Sequence, residues 1–135
     1  ELLFEKVALR PGKPTWFALR RGKPILGLPG NPASAFVCAR LFLRPLIARM
    51  LSLDPASTWA PQAARLRQPL APNGARETYL RGKASRDADG QIWVEAAANQ
   101  DSSLMSVFAR SDVLVLRAPN AAAAAVGEIV QTLPI

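Results

Sequence analysis

From Pro32 to Leu51 apolar residues recur at intervals of three and four, at Phe36, Ala39, Leu43, Leu46, Ile47 and Met50. That period predicts an amphipathic helix of about five turns. Pro45 falls inside the run, where it deletes the bond to the carbonyl of Leu41, so a bend is expected rather than an end. Arg40 and Arg44 fall on another face and are expected to be solvated. Cys38, among apolar neighbours, is expected to be a buried small hydrophobe. Before the helix, Phe4, Val7 and Leu9 form strand-like material ending in a turn at Pro11 and Gly12, and two short strands, 15–19 and 24–28, are joined by a turn at Arg21 and Gly22.

After "DPASTWAP", which has the composition of a linker, the period shortens to that of strands. "ARETYLRGKASR" and "QIWVEAAA" flank "DADG", a hairpin signal with Asp89 and Gly90 in the turn. "AARLRQPLA", "DVLVLRAP" and "VGEIVQTLPI" supply three further strands, while the alanines 121–125 are too few to nucleate a helix and are expected to be a loop. The predicted fold class is α/β plus all-β: strands and one long helix over 1–54, then a small antiparallel β-barrel over 55–135.

The junction "LPGNPASAFV" joins the two periods. Asn31 suits a helix N-cap, Pro32 suits the first helical position, and Gly30 allows a sharp exit from the strand. A capped helix explains the stretch by itself. The same residues also present a helix N-terminus and the Ser34 hydroxyl beside Lys6, Arg10 and Lys13, an arrangement that attracts a small oxyanion or phosphate.

Charge sharpens that second reading. The 135 residues carry a net charge of +7, and residues 1–53 hold nine Lys/Arg against two acids, whereas residues 54–135 hold eight of each. The chain has no histidine and one cysteine, which argues against a zinc site, a histidine triad or an internal disulfide. No apolar run is long enough for a membrane helix and no signal sequence opens the chain, so the default expectation is a cytoplasmic protein without membrane contact. Beginning at Glu1 with no methionine, the sequence reads as a piece of a larger protein.

"KVALRPGKP", "GKPILGLPGNPASA", "RLFLRPLIARML", "RETYLRGKA", "NQDSSLMSVFARSDVLVL" and "VGEIVQTLPI" together resemble the molybdopterin molybdenumtransferases, a family that includes bacterial MoeA, its plant counterpart and the gephyrin E domain. The resemblance implies the end of a molybdopterin-binding α/β domain followed by the family's C-terminal β-barrel domain. It implies molybdenum cofactor biosynthesis: molybdenum from molybdate enters adenylylated molybdopterin and AMP is released, with Mg2+ held by residues upstream of this chain and no metal ligand within it. It further implies a homodimer in the whole protein, and little activity for these 135 residues alone.

Residue by residue, the resemblance implies catalytic roles for Lys6, Arg10 and Lys13, with arginine at position 10 where the family carries lysine. It implies substrate contacts from the Pro14 backbone, Gly30, Asn31, Ser34, one of Arg76 and Arg81, and one of Ser102 and Ser103. Asp101 departs from the family's small or apolar residue and would oppose an anion unless turned away. Two other readings stand beside this one. A basic module binding nucleic acid would suit the charge, but Trp16, Phe17, Trp59, Tyr79 and Trp93 do not alternate with Lys/Arg as a stacking platform requires. A scaffold role has no residue pattern to support it.

Overall fold

The computed structural model describes residues 1–101, 103 and 105–135. In chain order the strands are β1 (Leu2–Phe4), β2 (Leu9–Arg10), β3 (Trp16–Arg20), β4 (Lys23–Gly27), β5 (Gln62–Leu66), β6 (Glu77–Arg86), β7 (Ile92–Ala96), β8 (Val113–Arg117) and β9 (Ile129–Pro134). β1, β3 and β4 form a three-stranded antiparallel sheet, and Arg21 and Gly22, at φ 50° and 73°, make the tight β3–β4 turn.

Residues 32–50 remain helical in three pieces: α1 (Pro32–Cys38), a π-helical turn (Ala39–Leu43) and α2 (Arg44–Met50). Pro45 explains the middle piece. The Arg44 N–H reaches back five residues to the Ala39 carbonyl, and this wider turn carries the chain past a residue that has no N–H to give. The buried stripe is Ala33, Val37 and Cys38 rather than the larger apolar side chains that set the period; Phe36, Ile47 and Met50 are exposed. Small residues win because they let the helix approach the barrel wall closely.

Downstream, β5–β7–β6–β8–β9 close into a ring when β9 pairs with β5. The ring is antiparallel as expected except at β5–β7, which runs parallel. Inward positions alternate along each strand: Ala64, Leu66, Val94, Ala96, Val113, Val115 and Val130 fill the barrel. Outward Tyr79, Leu114 and Leu133 pack with Ala33 and Val37 of α1 and with Phe108, so the barrel wall is buried on both sides there. Phe108 belongs to a short helix, α3 (Met105–Ala109), that the strand pattern did not anticipate. At Gly82, where β6 changes partner from β8 to β7, a Cβ would come within 2.7 Å of the Glu95 carbonyl oxygen, so only glycine fits the corner.

Two polar contacts add to the α1 packing in tying the first fifty residues to the barrel. β2 adds to β6 in parallel, Leu9 opposite Glu77 and Arg10 opposite Thr78, so this stretch, expected to close off a local strand, joins the distant sheet instead. Arg40 corrects the expectation of a solvated side chain: it is 8% exposed, and its Nε donates to the Pro134 carbonyl and its Nη1 to the Thr58 carbonyl, both at 2.8 Å. Burial, with Arg44 nearby, holds its pKa below the ordinary arginine value.

Candidate functional site: a cationic cleft between loop, helix and barrel

The turn 11–14 is the first wall of the site. Gly12 adopts φ 123°, which side chains rarely tolerate, and its carbonyl accepts from the Thr15 N–H at 3.0 Å and from Thr15 Oγ1 at 2.7 Å. Thr15 Oγ1 lies 3.1 Å from the Cys38 sulfur. Both residues are fully buried, and burial raises the Cys38 thiol pKa. This neutral contact fastens the turn to α1 and turns the exposed Lys13 outward. Val7 N–H to the Lys13 carbonyl, at 3.0 Å, closes the loop.

The opposite wall comes from the barrel. Arg81 is 1% exposed, on the outward row of β6; its backbone N–H and Nε both donate to Gln100 Oε1, at 2.9 and 3.2 Å, and its Nη1 lies 3.4 Å from the Asp101 carbonyl. Gln100 is itself fixed by donating to the carbonyls of Arg81 and Ala97. Burial lowers the Arg81 pKa, offset by Asp101. The Asp101 carboxylate accepts from both the N–H and the hydroxyl of Ser103 at 2.9 Å, which holds its pKa below the usual carboxylate range, with Arg81 adding to the effect.

Between the walls lies a cleft of about 560 Å³ bordered by Arg10, Lys13, Pro14 and Ser34 on one side and by Arg76, Arg81, Gln100 and Arg117 on the other. Five cationic side chains thus face one carboxylate, Asp101. The arrangement suits an anion: positive charge converges in a concave, partly desolvated space, with the Ser34 hydroxyl to orient the ligand.

Of the residues named from the sequence, the structure brings Arg10, Lys13, Pro14, Ser34, Arg76 and Arg81 to this cleft. Lys6 is exposed one residue before the loop closure and does not line it. Gly30 is exposed with open space around it, outside the cleft lining. Asn31 occupies the N-cap position but makes no side-chain cap bond; its Oδ1 is buried without a partner, while its backbone carbonyl accepts from Ala35 at 2.9 Å. Ser103 spends its hydroxyl on Asp101, outside the cleft lining, and Ser102 lies outside the described residues. Arg76 is exposed, with Nη1 3.4 Å from the Leu9 carbonyl. Sequence reasoning missed Gln100 and Arg117; the strand alternation of "VLVLR" was the available signal, because it places Arg117 in the same row as Val113 and Val115.

Among the described residues no group of three or more His, Cys, Asp or Glu is arranged to hold a metal ion, and no helix is long and apolar enough to cross a membrane.

Comparison with known proteins agrees with this picture. A family described as a probable molybdopterin binding domain matches residues 1–49, and one described as MoeA C-terminal region (domain IV) matches residues 63–135. Among curated relatives, a molybdopterin molybdenumtransferase of Haemophilus influenzae is 30% identical over 131 residues, 97% of this chain and 32% of the relative. Molybdopterin molybdenumtransferase 1 of Mycobacterium tuberculosis is 35% identical over 137 aligned residues, 96% of this chain and 32% of the relative. The chain therefore spans about a third of the length of these relatives. A molybdopterin biosynthesis moeA protein of Pyrococcus horikoshii shares the fold at TM-score 0.79 and 19% identity, covering 100% of this chain and 33% of the other. A molybdenum cofactor biosynthesis protein of Pyrococcus furiosus does so at TM-score 0.75 and 20% identity, covering 98% and 45%. With the match over residues 63–135 taking in more than half of the sequence, the chain belongs to the MoeA C-terminal (domain IV) family.

Proposed function

We propose that this chain is the C-terminal portion of a molybdopterin molybdenumtransferase, with residues 1–54 ending the molybdopterin-binding α/β domain and residues 55–135 forming its β-barrel domain, and that the cleft captures molybdate. The observation that carries the reading is the convergence of Lys13, Ser34 and Arg81 on one concave space, from three elements distant in sequence. Molybdate is a tetrahedral dianion. Arg81, desolvated and held by Gln100, offers a fixed guanidinium; Lys13 offers a mobile ammonium that follows the ligand; Ser34 donates a hydroxyl. In the whole protein, adenylylated molybdopterin is the co-substrate and AMP the released product, with a homodimer completing the site.

Mg2+, expected on residues upstream of this chain, has no group of three or more His, Cys, Asp or Glu to hold it among the described residues. Charge gathered inside a cleft, rather than along an open stripe, favours a small anion over nucleic acid. Molybdate or tungstate titrated into the chain is expected to raise its melting midpoint in proportion to the logarithm of concentration, and Lys13→Ala to abolish most of that shift. A shift of equal size in Lys13→Ala, or none in the unmodified chain, overturns the reading.

A further inference from the structure

We infer that Gln100 is a positioning residue for anion capture: its side-chain amide stands in for the strand that β6 lacks beside Arg81 and holds that guanidinium at the cleft without cancelling its charge. This role deepens the oxyanion reading above and rests on it for the identity of the anion.

The vacancy comes from the strand ladder. β6 pairs with β8 from Thr78 to Gly82 and with β7 from Gly82 to Arg86, and β7 ends at Ala96, opposite Gly82. Arg81 is therefore the first residue of β6 that β7 does not reach. In an antiparallel ladder the N–H and C=O of one residue point to the same side, and the side alternates from residue to residue. The Gly82 carbonyl accepts from Asp112, which leads into β8, so the Arg81 groups face the side that β7 has left. Ala97 N–H supplies one bond there, to the Arg81 carbonyl at 2.8 Å. Gln100 supplies the others: Oε1 accepts from the Arg81 N–H at 2.9 Å and Nε2 donates to the Arg81 carbonyl at 2.9 Å, the bonds that a neighbouring peptide unit would have made. Nε2 also donates to the Ala97 carbonyl at 2.8 Å, which ties the amide to its own loop.

The same amide fixes the charged end. Oε1 accepts from Arg81 Nε as well, at 3.2 Å, so the backbone and the side chain of one residue share an acceptor and the fork is clamped at its base. Its Nη1 has a 3.4 Å contact with the Asp101 carbonyl, long for a hydrogen bond, and the outer end of the fork keeps donors for a ligand. An arginine that has given up its rotamer freedom on folding does not give it up again on capture. A carboxylate in this place would hold the guanidinium and neutralise it, whereas an amide holds it and leaves the charge in the wall. Oε1 and both Nε2 hydrogens are spent within the protein, so Gln100 acts through Arg81 and does not touch the anion.

Arginine side-chain NMR and calorimetric titration of molybdate, both on the chain as it stands, test the role together. In the unmodified chain the Arg81 Nε–H is expected to exchange slowly with water, and in Gln100→Met, close in length but without a polar hydrogen to donate, to exchange as fast as an exposed arginine. Gln100→Met is expected to weaken molybdate about fivefold, yet to change affinity by less than about twofold in the Arg81→Gln background. Slow exchange that persists in Gln100→Met overturns the role. So does wild-type affinity in that variant, or an equal loss in the Arg81→Gln background, which would make Gln100 a prop for the whole cleft. If Gln100→Met does not fold, Gln100→Asn, whose amide is one methylene short of Arg81 Nε, takes its place with the same expected results; failure of both to fold overturns the role. An unmodified chain that binds no molybdate, but whose Arg81 Nε–H loses its protection in Gln100→Met, fails the oxyanion reading and leaves the clamp standing.

Discussion

Lys13 reaches the cleft from an exposed turn whose backbone is fixed by a positive-φ glycine and a neutral Thr15–Cys38 contact, whereas Arg81 and Arg117 reach it from inside a strand ladder, with their guanidinium groups held by amide and carbonyl oxygens. On the first wall the backbone is rigid and the charged end is free. On the second, the charged end itself is immobilised and desolvated. The pairing gives one anchor that pre-organises geometry and one that adapts to the ligand, so backbone damage to the loop should register in stability, and loss of a charged end on either wall in affinity.

The largest break is Gly12→Ala. A Cβ there would lie 2.4 Å from the Cys38 sulfur and would have to accept φ 123°. Overpacking and the strained backbone together are expected to cost about 3 kcal/mol of stability, read as a lowered denaturant midpoint. Adding Cys38→Ala removes the clash but not the backbone strain, and should restore part of the loss. If Gly12→Ala alone is as stable as the unmodified chain, the turn is not fixed in the way described.

Arg40→Met is next. It strips the donor from the Thr58 and Pro134 carbonyls, which join the linker and the last strand to the helix that carries Ser34. Two acceptors left unsatisfied in a partly buried setting are expected to cost about 2 kcal/mol. Because the same residue sets helix against barrel, molybdate affinity should fall with stability in this variant, unlike in Arg81→Gln.

Arg40 also marks the boundary of what the sequence made legible. Period two and the "DADG" and Arg21–Gly22 turns located β3, β4, β6, β7 and β8 to within a residue or two, because hairpins are local and their turn chemistry is explicit, whereas the stretches expected for β5 and β9 overran those strands by five and three residues. The Lys13 and Ser34 neighbourhood was legible for the same reason. Arg40 was not, since its burial is defined by carbonyls far away in sequence and nothing in "CARLF" announces it, and Arg117 was marked only by the strand alternation of "VLVLR". The pairing of Leu9–Arg10 with Glu77–Thr78 was hidden likewise, being parallel and 68 residues apart. α3 was too short to show a period, and the inward stripe of the long helix was masked by larger apolar residues on its exposed side.

Arg81→Gln isolates the barrel wall. It removes the cation but leaves the Arg81 backbone bond to Gln100, so the strand should persist with a small change in midpoint. Molybdate affinity is expected to fall about tenfold, the effect of one charge-assisted contact. A stability loss larger than that of Arg40→Met, with unchanged affinity, would make Arg81 a structural plug and collapse the distinction between the walls.

The smallest effect separates the neutral anchor from its charged neighbours by pH. Cys38 holds the loop wall as a thiol whose pKa burial raises above 9.0, and Tyr79 behind the barrel wall is raised too, by burial first and then by its hydrogen bond to Glu77 and the charge of that carboxylate. For both groups the native state favours the protonated form, so their contribution is complete below the ordinary value and is lost as pH climbs past it, because the unfolded chain ionises first. Stability should therefore be level through neutral pH and decline above about pH 9, with a limiting slope of about 1.4 kcal/mol per pH unit for each group. Cys38→Ala is expected to flatten the first part of that decline, and Tyr79→Phe only the part at higher pH. Parallel pH profiles for Cys38→Ala and the unmodified chain between pH 8 and about 10.5 would show that the loop wall is not anchored by a buried thiol, and would leave the Gly12 turn and the Val7–Lys13 backbone bond to hold it.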